Sequence, residues 1–262
     1  AFACSKPGSQ LVLGEPRSLA ATEDVNGCAG YLVATQSGDV VGFGSATFRG
    51  SMQGARLNSK VVAVAPTPDD GGYWLLGADG GVFAFGDARF YGSMGGEHLN
   101  APMVGIASTA DGHGYWIAAR DGGVFAFGDA HFYGGTALMR LNKPIVGMAA
   151  TPTGLGYWLV AADGGVFSFG DAPYYGSVGT SSLKAPIVAV TADRNGGYSL
   201  AAADGQVYTF RAPDYGSLAG KTLPVPITGI AASVDGRGYY LFDSAGDVYA
   251  FGSAVYLGNA TN

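Results

Sequence analysis

An all-β fold, a six-bladed β-propeller with four antiparallel strands per blade, is what this sequence predicts. Three observations carry the expectation. A Gly-Tyr pair recurs with its tyrosine at 31, 73, 115, 157, 198 and 239, giving spacings of 42, 42, 42, 41 and 41 residues. Asp-Gly-Gly stands at 79–81, 121–123 and 163–165, one place in the repeat. The composition, 45 glycines in 262 residues with only 13% charged, suits short strands joined by tight turns. A unit of about 40 residues with four strand-like segments is the period of a propeller blade, and such units must stack to bury their faces.

The best-preserved copy shows the elements in order. Pro144 to Ala150 (PIVGMAA) is apolar and small, as befits the crowded centre of a disc. Gly156 to Ala162 (GYWLVAA), Gly165 to Gly170 (GVFSFG) and Pro173 to Ser177 (PYYGS) follow. Each is bounded by Gly, Pro, Asp or Asn, as strands are. No window carries the 3.6-residue apolar period of a helix, so no α-helix is expected. Asp-Gly supplies the positive φ of a two-residue hairpin between the second and third segments. The competing architecture is a linear β-solenoid, whose coils contribute parallel strands; the recurring hairpin turns argue against it.

The repeats fill residues 17–258 of a single domain, 1–262. Residues 1–16 are expected to act as a clasp, with Leu11-Val12-Leu13 as an added edge strand or a covering loop. Val255 to Gly258 would supply the outer strand of the last blade, with no strand exchange between the chain ends.

The motif GYWLVAADGGVFAFGDAxFYGS, best kept in the second to fourth copies, resembles the tandem repeat of secreted actinobacterial proteins, where it often accompanies exported enzymes. The resemblance covers about residues 17–258. It implies an exported, surface-associated protein and supplies no catalytic residues. The first, fifth and sixth copies depart from it.

Cys4 and Cys28 are the only cysteines. Both fall in tail or turn segments, which favours one disulfide over two free buried thiols and points to a secreted or cell-surface location. A net charge of −6 and a pI near 4.9 argue against a nucleic-acid partner, which needs a dense Lys/Arg footprint. No apolar run approaches the roughly 20 residues of a membrane span, so membrane insertion is not expected.

Candidate ligand-binding residues fall in two groups. Trp74, Trp116 and Trp158 share one repeat position, suited either to stacking on sugar rings at blade edges or to packing between blades. The variable crossover stretches carry Arg56, Glu97, His98, Arg140, Lys143 and Lys184 on the face shared with the Asp-Gly hairpins. The repeated carboxylates Asp87, Asp129 and Asp171, and Asp79, Asp121, Asp163 and Asp204, sit in turns that want Asp for backbone reasons. One carboxylate per blade does not converge as Ca²⁺ requires, so neither metal nor cofactor is expected. Among the aspartates only Asp214 and Asp243 stand apart from the turn pattern, and no catalytic constellation emerges. The expected function is recognition of a cell-envelope polysaccharide or a surface protein by a monomer. The alternatives are a polysaccharide hydrolase or lyase on the same scaffold, and a purely structural spacer.

Overall fold

The computed structural model describes residue 4 and residues 8–11, 14–24, 26–179 and 183–261, with 8–11 and 261 described by their backbone alone. The fold is all-β and propeller-like. After β1 (Gly8–Leu11), six three-stranded antiparallel sheets follow one another along the chain. They are β2 (Pro16–Glu23), β3 (Ala29–Thr35) and β4 (Val40–Gly44); β5 (Val61–Pro66), β6 (Gly72–Gly77) and β7 (Val82–Gly86); β8 (Met103–Ser108), β9 (Gly114–Ala119) and β10 (Val124–Gly128). The second half adds β11 (Ile145–Ala150), β12 (Gly156–Ala161) and β13 (Val166–Gly170); β14 (Ile187–Ala192), β15 (Tyr198–Ala202) and β16 (Val207–Phe210); and β17 (Ile227–Ala232), β18 (Gly238–Asp243) and β19 (Val248–Gly252). Finally β20 (Gly258–Thr261) pairs in parallel with β1. No helix is long and apolar enough to cross a membrane among the described residues.

The first strand of each sheet lies against the first strand of the next, from β2 through β5, β8, β11 and β14 to β17, and β17 returns to lie against β2. These strands therefore surround a central channel. Their small residues let the six backbones crowd together. The middle strand of each sheet is buried nearly throughout, as its run of aromatic and aliphatic residues requires.

Three expectations are corrected. Each sheet has three strands, not four: the fourth segment joins no ladder and crosses toward the next sheet. There the repeated tyrosine of the next middle strand holds it. The Tyr115 hydroxyl accepts from Tyr91 N (3.2 Å) and donates to Gly92 O (2.6 Å). Tyr157 does the same to Tyr133 and Gly134, and Tyr198 to Tyr175 and Gly176. Tyr73 holds Arg49 and Gly50, Tyr239 holds Tyr215 and Gly216, and Tyr31 holds Leu257 and Gly258 across the seam between the last sheet and the first. The glycine is required because Gly92, at φ 135°, lies against the Phe127 ring, where an added Cβ would come within 2.6 Å of it.

The second correction concerns the chain ends. Residues 254–257 form no strand, and β20 instead pairs with β1, so the two ends are joined by a ladder. Of the expected apolar run, Leu11 lies in this ladder, and Val12 and Leu13 lie outside the described residues. The Asp-Gly hairpin also differs. Gly80 N donates to Gly77 O and Gly77 N to Gly81 O, which is a three-residue loop with Gly80 left-handed at φ 83°.

Burial raises the pKa of all six clamp phenols: Tyr31, Tyr73, Tyr115, Tyr157, Tyr198 and Tyr239, the last to about 12. An unfolded phenol ionises near 10. The neutral form is thus favoured in the folded state, and the associated stability is complete below about pH 10 and lost as pH rises toward the folded values. The melting temperature should be insensitive to these groups from about pH 7 to 9 and fall steeply between about 10 and 12. Tyrosinate absorbance should rise together with loss of near-UV circular dichroism. Titration of all fifteen tyrosines near pH 10 with the fold intact would show the six clamps to be misassigned.

Candidate functional site

The fourth segment carries a pair of residues just ahead of its glycine: Phe48-Arg49, Phe90-Tyr91, Phe132-Tyr133, Tyr174-Tyr175, Asp214-Tyr215 and Tyr256-Leu257. Neighbouring side chains on extended backbone point to opposite sides. Except for the exposed Arg49, the second member turns inward: Tyr91 packs on Tyr115 with ring centroids 5.9 Å apart, and Tyr133 on Tyr157 at 5.9 Å. The first member faces solvent. Phe48, Phe90, Phe132, Tyr174 and Tyr256 are 57, 60, 55, 60 and 41% exposed, one from each of five sheets.

Large exposed aromatics at one repeat position form a rim outside the third strands, and beside Phe90, Phe132, Tyr174 and Tyr256 the backbone is held on both sides. In the second sheet, Trp74 Nε1 donates to Arg89 O (2.8 Å), one residue before Phe90, and Tyr91 N is bound by Tyr115 one residue after. Trp116 to His131 O and Trp158 to Pro173 O repeat this before Phe132 and Tyr174. In the last sheet the Tyr240 hydroxyl accepts from Val255 N before Tyr256. The first and fifth sheets have Leu32 and Ser199 at the Trp position, so Phe48 keeps only the tyrosine clamp.

The three tryptophans themselves are buried between the sheets. Trp74, Trp116 and Trp158 are 0% exposed and pack on Tyr115, Tyr157 and Tyr198 of the following sheet. Of the two readings open in the sequence, the structure has the packing one. The rim was missed because the adjacent aromatics of the fourth segment read as strand core. Two consecutive aromatics on extended backbone, of which only one can face inward, were the available signal.

Arg56, Glu97, His98, Arg140, Lys143 and Lys184 are all exposed on the crossovers. Of the six, Glu97 lines a shallow depression with Asp79 of an Asp-Gly hairpin, Asn58 and Asn100. The six belong to four different crossovers, however, and no hydrogen bond or ion pair joins any two of them among the described residues.

The aspartates serve turns. Asp79, Asp121 and Asp163 accept from the N–H two residues on. Asp243 is buried and accepts from Ala245 N, Asp247 N and the Tyr249 hydroxyl, and burial raises its pKa. Asp214 lies on the fourth segment of the fifth sheet, where it accepts from Gly216 N. On the opposite face, Asp111, His113 and Asp129 bring potential ligand atoms within 4.8 Å of one another, all exposed. Hydrogen bonds from His113 N, the His113 ring and Thr109 hold the Asp111 carboxyl below its usual range. In the fourth sheet the matching pair Thr153 and Asp171 is joined directly at 2.6 Å, so this corner is a recurring turn.

Cys4 and Cys28 are bridged, with Cα atoms 5.6 Å apart. Cys4 lies by a cavity of about 250 Å³ that Glu23, Asp235, Tyr240 and Leu257 also line, at the seam between the last and first sheets.

No protein-family model and no curated protein matches the chain. Among solved structures, a structural genomics protein of unknown function from Bacteroides thetaiotaomicron VPI-5482 is similar over 91% of this chain and 69% of that one, at a TM-score of 0.60 and 11% identity. Matches extend to 1159 solved chains, so the likeness establishes a widely used fold and leaves function to the site.

Proposed function

We propose that this protein is an exported, non-catalytic recognition module, a six-bladed propeller whose aromatic rim stacks on sugar rings of a cell-envelope polysaccharide. One observation carries the reading: a solvent-exposed aromatic recurs at the same place in five repeats, on backbone secured by buried Trp and Tyr side chains. The negative π face of an aromatic ring attracts the polarised C–H face of a pyranose. A held backbone reduces the ordering cost of binding. Regular spacing around a disc suits a repeating polymer, because several weak platforms engaged together give avidity. The Cys4–Cys28 bridge supports an oxidising, extracytoplasmic setting, as does the resemblance to secreted actinobacterial repeats.

The test is a glycan array and retention on envelope polysaccharide, with the double variant Phe90→Ala/Phe132→Ala beside wild type. At about 1 kcal/mol per ring the double variant should bind roughly 30-fold more weakly. Its melting temperature should be unchanged, because both rings face solvent. Failure of wild type to bind any glycan, or equal binding by the variant, rejects the reading. Capture of an envelope protein without glycan binding would reject the glycan in favour of a protein partner.

A further inference from the structure

The central channel holds one residue that breaks its pattern. Each first strand begins with a bulge, where one residue is left out of the ladder: Arg17, Val62, Val104, Val146, Val188 and Thr228. All six line a constricted part of the channel, a cavity of about 160 Å³. Five of these side chains are short and β-branched. The sixth is an arginine. The channel widens to about 520 Å³ toward the face of the first-to-second strand turns, so the constriction is reached from a broad mouth.

Arg17 is half-buried and, among the described residues, has neither a hydrogen-bond acceptor nor an acidic partner. Desolvation alone lowers its pKa, with no nearby carboxylate to offset it. Placing an unpaired cation against an aliphatic wall costs free energy, and a half-buried guanidinium normally has an anion or carbonyl beside it. Valine would fit the repeat here, as it does in four other sheets. The other channel groups set the character of the site. The Phe242 ring reaches the channel over Gly229, where a Cβ would come within 2.1 Å of it. Ser18 Oγ accepts from Val64 N, which leaves its hydrogen available as a second donor.

We propose that the constriction binds a small organic carboxylate, held by the Arg17 guanidinium, with its aliphatic part against Val62, Val104, Val146, Val188 and Phe242. The planar guanidinium fork matches a carboxylate in a bidentate arrangement. A cavity of about 150 Å³ accepts benzene, so a branched acid of six heavy atoms fits. This site is separate from the rim and does not depend on the glycan reading.

The experiment is calorimetric or ligand-observed NMR titration with three probes, isobutyrate, its neutral amide and inorganic phosphate, on wild type and Arg17→Val. Wild type should bind isobutyrate within a range up to about 20 mM. The amide should bind at least about tenfold more weakly, phosphate should also be weaker, and Arg17→Val should lose at least about tenfold for isobutyrate. Without ligand, Arg17→Val should melt about 2–4 °C higher, since an uncompensated charge is removed. No isobutyrate binding by wild type, binding unchanged in Arg17→Val, or an amide equal to the acid would overturn the site. Phosphate binding as tight as isobutyrate would overturn the carboxylate assignment. A lower melting temperature for Arg17→Val would make Arg17 a structural residue and overturn the proposal as well.

Discussion

Trp116→Ala is expected to lower the free energy of unfolding by about 3–5 kcal/mol, the range for removing a large buried aromatic. Trp116 is 0% exposed and packs against Tyr157, 5.6 Å away between ring centroids, and Tyr133 at 6.4 Å. Truncation opens a cavity between the third and fourth sheets. It also removes the donor to His131 O at 2.8 Å, so the segment before Phe132 loses one of its two attachments. Denaturant titration should show a lower midpoint at unchanged slope. Trp116→Phe keeps most of the ring volume and loses only the N–H, so it should cost clearly less. A loss below about 1 kcal/mol for the alanine variant would mean that the sheets are not held by this side chain.

Opening the Cys4–Cys28 bridge should cost about 3 kcal/mol, given that its sequence separation is 24 residues. The bridge joins residue 4 to the β2–β3 turn, where Asp24 Oδ1 accepts from Cys28 N and Asp24 N donates to Cys28 O. Beside it stands the seam on which ring closure depends. Leu19, Tyr31 and Phe43 of the first sheet pack there with Tyr240, Phe242 and Leu257, and β1 pairs with β20. The Cys4→Ser/Cys28→Ser variant should therefore melt at lower temperature. Hydrogen exchange should show the first loss of protection in β1, β20 and the Tyr31 clamp, ahead of the middle sheets. Uniform loss of protection would contradict a local role at the seam.

The period of the Gly-Tyr pair was enough to place all six middle strands, because the same burial on both faces imposes the same residues each time. The fourth segment was misread for a physical reason. Its aromatic and glycine residues look like strand core, but they make side-chain contacts to the next sheet in place of a ladder, and sequence spacing does not distinguish the two. Trp74, Trp116 and Trp158 were legible as packing residues. Their hydrogen bonds to the backbone beside the rim were not, since those depend on where the indole N–H points. Phe90 and Phe132 were legible in principle from the pairing with Tyr91 and Tyr133. Arg17 was hidden because the first copy departs from the motif, and its place in the channel emerges only once the bulges align it with Val62 and its counterparts.

The most direct test of the account is to map the binding surface by backbone NMR during titration with an envelope polysaccharide fragment. Shifts are expected to centre on Phe48, Phe90, Phe132, Tyr174 and Tyr256 and their clamped neighbours, with the crossover face unchanged. Shifts confined to the crossovers, at Arg56, Glu97, His98, Arg140, Lys143 and Lys184, would contradict it.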